Sequence, residues 1–218
     1  MIPRTHFRLD TEIPESHAGW TPRGSDLEDE GFGFFRGTWV IRGVTIKEAR
    51  EVVKNETAMV KVVGSLAQDA RTFDLICKAF EDEESESIPD DIQEDPRIAD
   101  LQILSSEVTA YTGLELGVGG LVFALSAVGC WPAASCRGHP TDNAWCDHPV
   151  VFFACDHHRA NTLMTLLASA HCGFGYDPSR SELLTVEAES IEDFLVLSRL
   201  VIDARANFVR RRSARGTG

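Results

Sequence analysis

The stretch WPAASCRGHPTDNAWCDHPVVFFACD, residues 131–156, places two strand signals on either side of a polar loop and ends on a helix cap. Trp131 to Ser135 reads as a short strand. Val150 to Ala154 is a nearly continuous apolar run, which predicts a strand buried on both faces. Asp156 then suits an N-cap, with Ala160, Leu163, Met164, Leu167 and Ala170 on the inner side of the helix that follows and Gly173 as its stop. Upstream, Gly117 to Val128 reads as an apolar helix closed by Gly129. Downstream, Glu182 to Ala188 reads as a further strand. Ser190 with Asp193 then opens a last helix lined by Ile191, Phe194, Leu197, Leu200, Val201 and Phe208.

The first half of the chain is more helical. Residues 1–37, rich in Pro, Gly and acids, read as an extended arm. Thr38 to Arg42 reads as a strand, and Thr45 with Glu48 forms a capping box that starts a helix at Ile46. Thr57 is expected to start a second helix, with Val60, Val63, Ala67, Ala70, Phe73, Ile76 and Phe80 at helical spacing. Between Glu81 and Asp95 lie nine carboxylates and no base, a composition expected of a solvated linker or of a docking strip for a basic partner. Asp95-Pro96 restarts a helix with Ile98, Leu101, Leu104 and Val108 buried. The expected organisation is an arm (1–37), a mostly helical part (38–112) containing the acidic linker 81–95, an α/β part (113–210) and a basic tail (211–218). The order of elements, counting the early strand, predicts an α+β fold: a ferredoxin-like α/β plait with a helical N-terminal insertion and a C-terminal helix.

Composition narrows the function classes. Against 21 Lys and Arg stand 34 Asp and Glu, a formal net charge of -13, which disfavours nucleic acid and anionic membrane except through the Arg-rich tail. The uncharged run Leu116 to Cys136 is long enough for a membrane span, but Gly129 and Pro132 divide it into a helix and a strand. The first residues lack the apolar core of a secretory signal, so a cytoplasmic setting with reduced cysteines is expected.

Five of the six cysteines and five of the seven histidines fall between Cys130 and Cys172. Cys136-x-x-His139 and Cys146-x-His148 together offer two thiolates and two imidazoles, the donor set and count of a tetrahedral zinc site. The same residues permit metal-free catalysis, with Cys136 as a thiolate beside Arg137 or His139, and His148 as a base. A third reading is a small anionic ligand of phosphate or nucleotide type. Ser135, Arg137, the turn donors at Gly138 and His139 would hold it, with Trp145 stacking on it. Cys77, Cys130, Cys155 and Cys172 read as small buried hydrophobes. An alternative class is an acidic interaction protein, such as an immunity protein, antitoxin or regulatory subunit, that binds a basic partner through residues 81–95 and the arm.

The segment Ala124 to Cys130, the turn Ser135-Cys136-Arg137-Gly138-His139 and the strand Val150 to Phe153 resemble a pattern in small uncharacterised bacterial and phage proteins. The turn is also distantly similar to the Ser-Cys-Ser-Gly-Arg turn of the tRNA wybutosine methyltransferase family, with His139 where that family has Arg. The resemblance covers about a sixth of the chain and implies only that this turn is a site.

Overall fold

The computed structural model describes residues 1–26, 31–32, 35–36, 41, 43–81, 90–107, 114–140, 146–176 and 182–209. The chain is mixed α+β. Two short strands, β1 (Gly31–Phe32) and β2 (Phe35–Arg36), pair in the arm. The helices α1 (Ile46–Leu66), α2 (Ala70–Glu81), α3 (Asp90–Gln93), α4 (Pro96–Glu107) and α5 (Gly119–Ala127) come next. The hairpin β3 (Trp131–Cys136) and β4 (Val150–Ala154) leads into α6 (His157–Leu167). A second hairpin, β5 (Cys172–Gly175) and β6 (Leu184–Ala188), leads into α7 (Ile191–Asp203). The main sheet is antiparallel throughout, in the order β3-β4-β6-β5.

Most boundaries follow from local chemistry. Thr45 and Glu48 form the expected reciprocal cap of α1, Asp156 accepts from the Arg159 backbone at the start of α6, and Ser190 caps α7. Asp95 receives the Arg97 N–H ahead of α4. The expected break after Asn55 does not occur. Thr57 Oγ1 donates to the Val53 carbonyl at 2.6 Å, a back-bond inside a continuous helix, and the chain breaks instead at Ala67, where Asp69 takes the Thr72 N–H. Gly173 is likewise not a helix stop. His171, at φ 53°, makes the left-handed turn, and Gly173 lies in β5, where a Cβ would sit 2.8 Å from the Asp10 carbonyl oxygen of the arm. The glycine serves a close backbone approach. β5 is therefore a strand the sequence pattern did not announce.

The expected early strand, residues 38–42, falls outside the described residues apart from Ile41. Among the described residues the second half runs hairpin, helix, hairpin, helix. The predicted boundary at Thr112-Gly113, most of the acidic linker and residues 210–218 of the basic tail also lie outside the described residues.

All five residues of β4 are buried. Val151 and Phe153 join the main core with α1, α5, α6 and α7, while Val150, Phe152 and Ala154 face a smaller cluster with Ala133, Cys136 and Leu183, flanked by Trp20, Trp131 and Cys146. A third cluster ties α1, α2 and α4 to Leu116 and the start of α7. Glu56, fully buried on α1, accepts from the N–H groups of Gly117 (2.8 Å) and Gly120 (2.7 Å), supplying from a neighbouring helix the acceptor that the N-terminus of α5 lacks in its own sequence. No described helix is long and apolar enough to cross a membrane.

Candidate metal centre

The C-terminal end of β3 delivers Cys136, and the turn after it delivers Arg137, Gly138 and His139. Gly138 adopts φ 81°, and a Cβ there would lie 2.7 Å from the His148 backbone, so the turn folds tightly onto the start of the next hairpin arm. The Gly138 N–H donates to Cys136 Sγ at 3.3 Å, and the His139 N–H to the Cys146 carbonyl at 3.1 Å.

Helix α2 meets this turn with Asp74, Lys78 and Glu81, spaced four and three residues apart on one face. The Arg137 side chain is only 2% exposed and enters between Asp74 (Nη2 to Oδ1, 2.8 Å) and Glu81. Glu81 also accepts the Leu116 N–H at 2.5 Å. Glu115, just before α5, accepts the Arg137 N–H through Oε2 at 2.7 Å. His139 is bracketed: Nδ1 lies 2.8 Å from Asp74 Oδ1, and Nε2 lies 3.0 Å from Glu115 Oε1. Lys78 reaches the other Asp74 oxygen at 2.9 Å. Three cations (Lys78, Arg137, His139) thus face three carboxylates (Asp74, Glu81, Glu115).

The electrostatics follow from that packing. Asp74 is driven up by burial but pulled further down by hydrogen bonds from His139, Lys78 and Arg137, and ends well below the usual carboxylate range. Burial pushes Glu81 up despite Arg137. The hydrogen bond to Asp74, with those to Cys136 and Glu115, pushes the His139 imidazole up to about 11, so the metal-free ring is an imidazolium. Burial pushes the fully buried Cys136 thiol up. A protonated thiol beside a locked imidazolium is a poor metal-free nucleophile and base pair. The anion reading meets a similar obstacle, because the Arg137 side chain and backbone N–H and both nitrogens of His139 already face carboxylates.

The structure divides the four predicted metal ligands into two groups. Glu115, Cys136 and His139 present donor atoms within 4.8 Å of one another, and so do Cys146, Asp147 and His148. In the second group Cys146 Sγ donates to the His148 carbonyl at 3.1 Å. The His148 ring meets Asp147 Oδ1 at 2.8 Å and packs on Phe7 with centroids 4.4 Å apart. The hydrogen bond with Cys146, and then that with Asp147, pushes His148 up to about 9. Ser135 is half-buried within β3. Trp145 and the rest of 141–145 lie outside the described residues.

Sequence reasoning missed Asp74, Glu81 and Glu115. Glu115 did leave a signal, as the one carboxylate at the head of a long uncharged run. Beside the cluster opens a cleft of about 350 Å3, whose walls include Arg4, Phe73, His139, Pro140, Asp147 and Glu189. No family model, no curated protein and no solved structure matches the chain.

Proposed function

We propose that the protein holds one divalent metal ion of the zinc class through Glu115, Cys136 and His139 Nε2, and that the adjoining cleft binds a small polar molecule for metal-assisted hydrolysis. The observation that carries this reading is the convergence of carboxylate, thiol and imidazole within 4.8 Å, with the other ring nitrogen of the histidine held by Asp74 at 2.8 Å. A carboxylate behind a ligating histidine fixes its tautomer and raises its basicity. The Gly138 N–H aimed at Cys136 Sγ favours the thiolate in the same way. Three protein ligands leave a coordination position open, the pattern of catalytic rather than structural zinc.

A bound ion would supply Lewis acidity at the edge of the cleft. The chain's own groups would do the rest: Asp74 orients His139, Arg137 balances Asp74 and Glu81, and the apolar cleft wall at Phe73 and Pro140 limits water. In the metal-free protein a proton lies between His139 Nε2 and Glu115. Metal uptake would displace it together with the Cys136 thiol proton, so apparent affinity rises with pH. The same reading extends to the fold: helices after each hairpin and the order β3-β4-β6-β5 are what a ferredoxin-like plait becomes if its ends are joined and the chain is cut after its first helix.

The test is elemental analysis of protein purified without chelators, together with cobalt(II) substitution. About one metal per chain and a thiolate-to-cobalt charge-transfer band, both lost in Cys136→Ser and His139→Ala, are expected. A wild-type chain that holds no zinc and shows no such band would sink the proposal.

A further inference from the structure

Away from the metal centre, α1 and α7 frame a second cleft of about 340 Å3, which shares no wall residue with the cleft beside His139. That volume lies at the lower end of the range of small-molecule sites. The floor is apolar: Val53 and Ile202, 4% and 3% exposed, belong to the main core. The rim is cationic. Arg50 and Lys54 on α1 and Arg199 on α7 all border the cleft, and all three are exposed.

This convergence stands in a chain of formal net charge -13. Elsewhere Arg4, Lys78, Arg97, Arg137 and Arg159 each grip a carboxylate. Among the described residues no carboxylate comes within ion-pair distance of Arg50, Lys54 or Arg199. Asp203, one turn after Arg199 and on the same rim, does not close on it. Like charges at the i, i+4 spacing of Arg50 and Lys54 oppose a helix, so the pair brings α1 no stability of its own. Arg199 is nonetheless held in place. Its Nη2 donates to Thr57 Oγ1 at 2.9 Å, and that hydroxyl donates to the Val53 carbonyl at 2.6 Å. A guanidinium braced on one edge presents its remaining N–H groups as a preset fork for an oxyanion.

We propose that this cleft binds a phosphate monoester whose organic part carries hydroxyl groups, a sugar phosphate or nucleoside monophosphate in chemical class. Such a phosphate carries about -1.5 to -2 charges at pH 7, which Arg50, Lys54 and Arg199 balance. Arg199 supplies the directed hydrogen bonds, and the two cations of α1 add charge. The apolar floor at Val53 and Ile202 covers the less polar face of the organic part. Asp203 accepts from one of its hydroxyls. A carboxylate on the rim also repels further phosphates, which selects a ligand with one phosphate and a neutral donor over a bare polyanion. None of this depends on a metal at Glu115, Cys136 and His139.

The experiment is a calorimetric titration of the full chain at low ionic strength with ribose 5-phosphate, adenosine 5'-monophosphate and inorganic phosphate. One ester or both should bind at a single site per chain about tenfold or more tighter than inorganic phosphate, and a preference between them tells sugar phosphate from nucleotide. Arg50→Gln and Arg199→Gln should each weaken the ester by about tenfold or more, while Arg71→Gln, an exposed cation of α2 outside the cleft, changes it by less than about twofold. Asp203→Asn should weaken the ester and leave inorganic phosphate unchanged or tighter. The cleft variants should keep their zinc, and Cys136→Ser should keep the ester, so the two sites fail independently. Saturating ester should also raise the melting temperature of wild type, a readout that needs no variant to fold. No binding of either ester by wild type, inorganic phosphate bound as tightly as the esters, or an equal loss in Arg71→Gln and Arg199→Gln overturns the proposal.

Discussion

At one end of β3, Cys136 is followed by a guanidinium and an imidazole that meet Asp74, Glu81 and Glu115. At the other end, beyond Cys130, the buried His17 ring packs edge-on against His157 and its nitrogens face no carboxylate. Two nearly identical sets of residue types, one strand apart, therefore differ in what surrounds them. The first is a saturated charge cluster in which Arg137 and His139 each meet acids from other elements and Lys78 meets Asp74 on its own helix. The second holds thiols and an imidazole with no carboxylate against them, beside a cleft that Asp156 and Arg159 also line. Buried charge is tolerated where, as in the first environment, each ion is paired.

The contrast can be broken most forcefully at Arg137. Arg137→Met leaves Asp74, Glu81 and Glu115 facing one another with only Lys78 and His139 to balance them. Removing one partner of a buried ion pair costs about 3–5 kcal/mol. In a chain of this length that lowers the melting temperature by on the order of 10 °C, measurable by calorimetry. A loss close to zero would mean that the cluster contributes nothing to holding α2 against the sheet.

The other end predicts the opposite sign. In the metal-free protein His17→Phe removes two buried polar atoms that have no partner, each of a kind that costs about 1–3 kcal/mol when left unmet. The variant is expected to melt at the same temperature as wild type or a few degrees higher. A marked fall would show that water or a hydrogen bond already satisfies the ring, and the two ends would then be alike.

A third comparison sets the buried cluster against an exposed ion pair. Asp95 grips the Arg97 side chain and N–H, with its oxygens 2.6 and 2.9 Å from the guanidinium, and those side-chain and backbone hydrogen bonds hold its carboxyl down to about 2. A depressed folded value gives stability that is present above the ordinary carboxylate range and is lost as pH falls from about 4 through 2. Asp95→Asn should therefore melt slightly below wild type at pH 7, with the gap closing near pH 2. The pair is solvent-screened, so this is the smallest of the three effects. A gap that persists below pH 2 would assign Asp95 a role other than charge.

What could be read from the residues alone was largely local. The caps at Thr45, Asp156 and Ser190 and the buried run of β4 depend on neighbours within a few positions, and they emerged as expected. Two local signals misled because another contact had claimed the residue: Thr57 bonds back within its own helix, and Gly173 makes room for Asp10. The turn at Cys136 to His139 was visible as a concentration of reactive side chains. Its carboxylates were not, since Asp74 and Glu81 come from a helix some sixty residues earlier, where each resembles an ordinary surface acid. Nor does a sequence show that a histidine in a polar arm, His17, will be buried without a partner.

Among the described residues β3 and β5 are the outer strands of the sheet, and the arm pairs with one of them: Phe174 donates its N–H to the Asp10 carbonyl at 2.6 Å, in an antiparallel bridge beside Gly173. An uncovered edge is a template on which a second chain can add a strand. One backbone bridge from the arm lies on that template at β5, so the arm covers part of the edge a second chain would otherwise pair with.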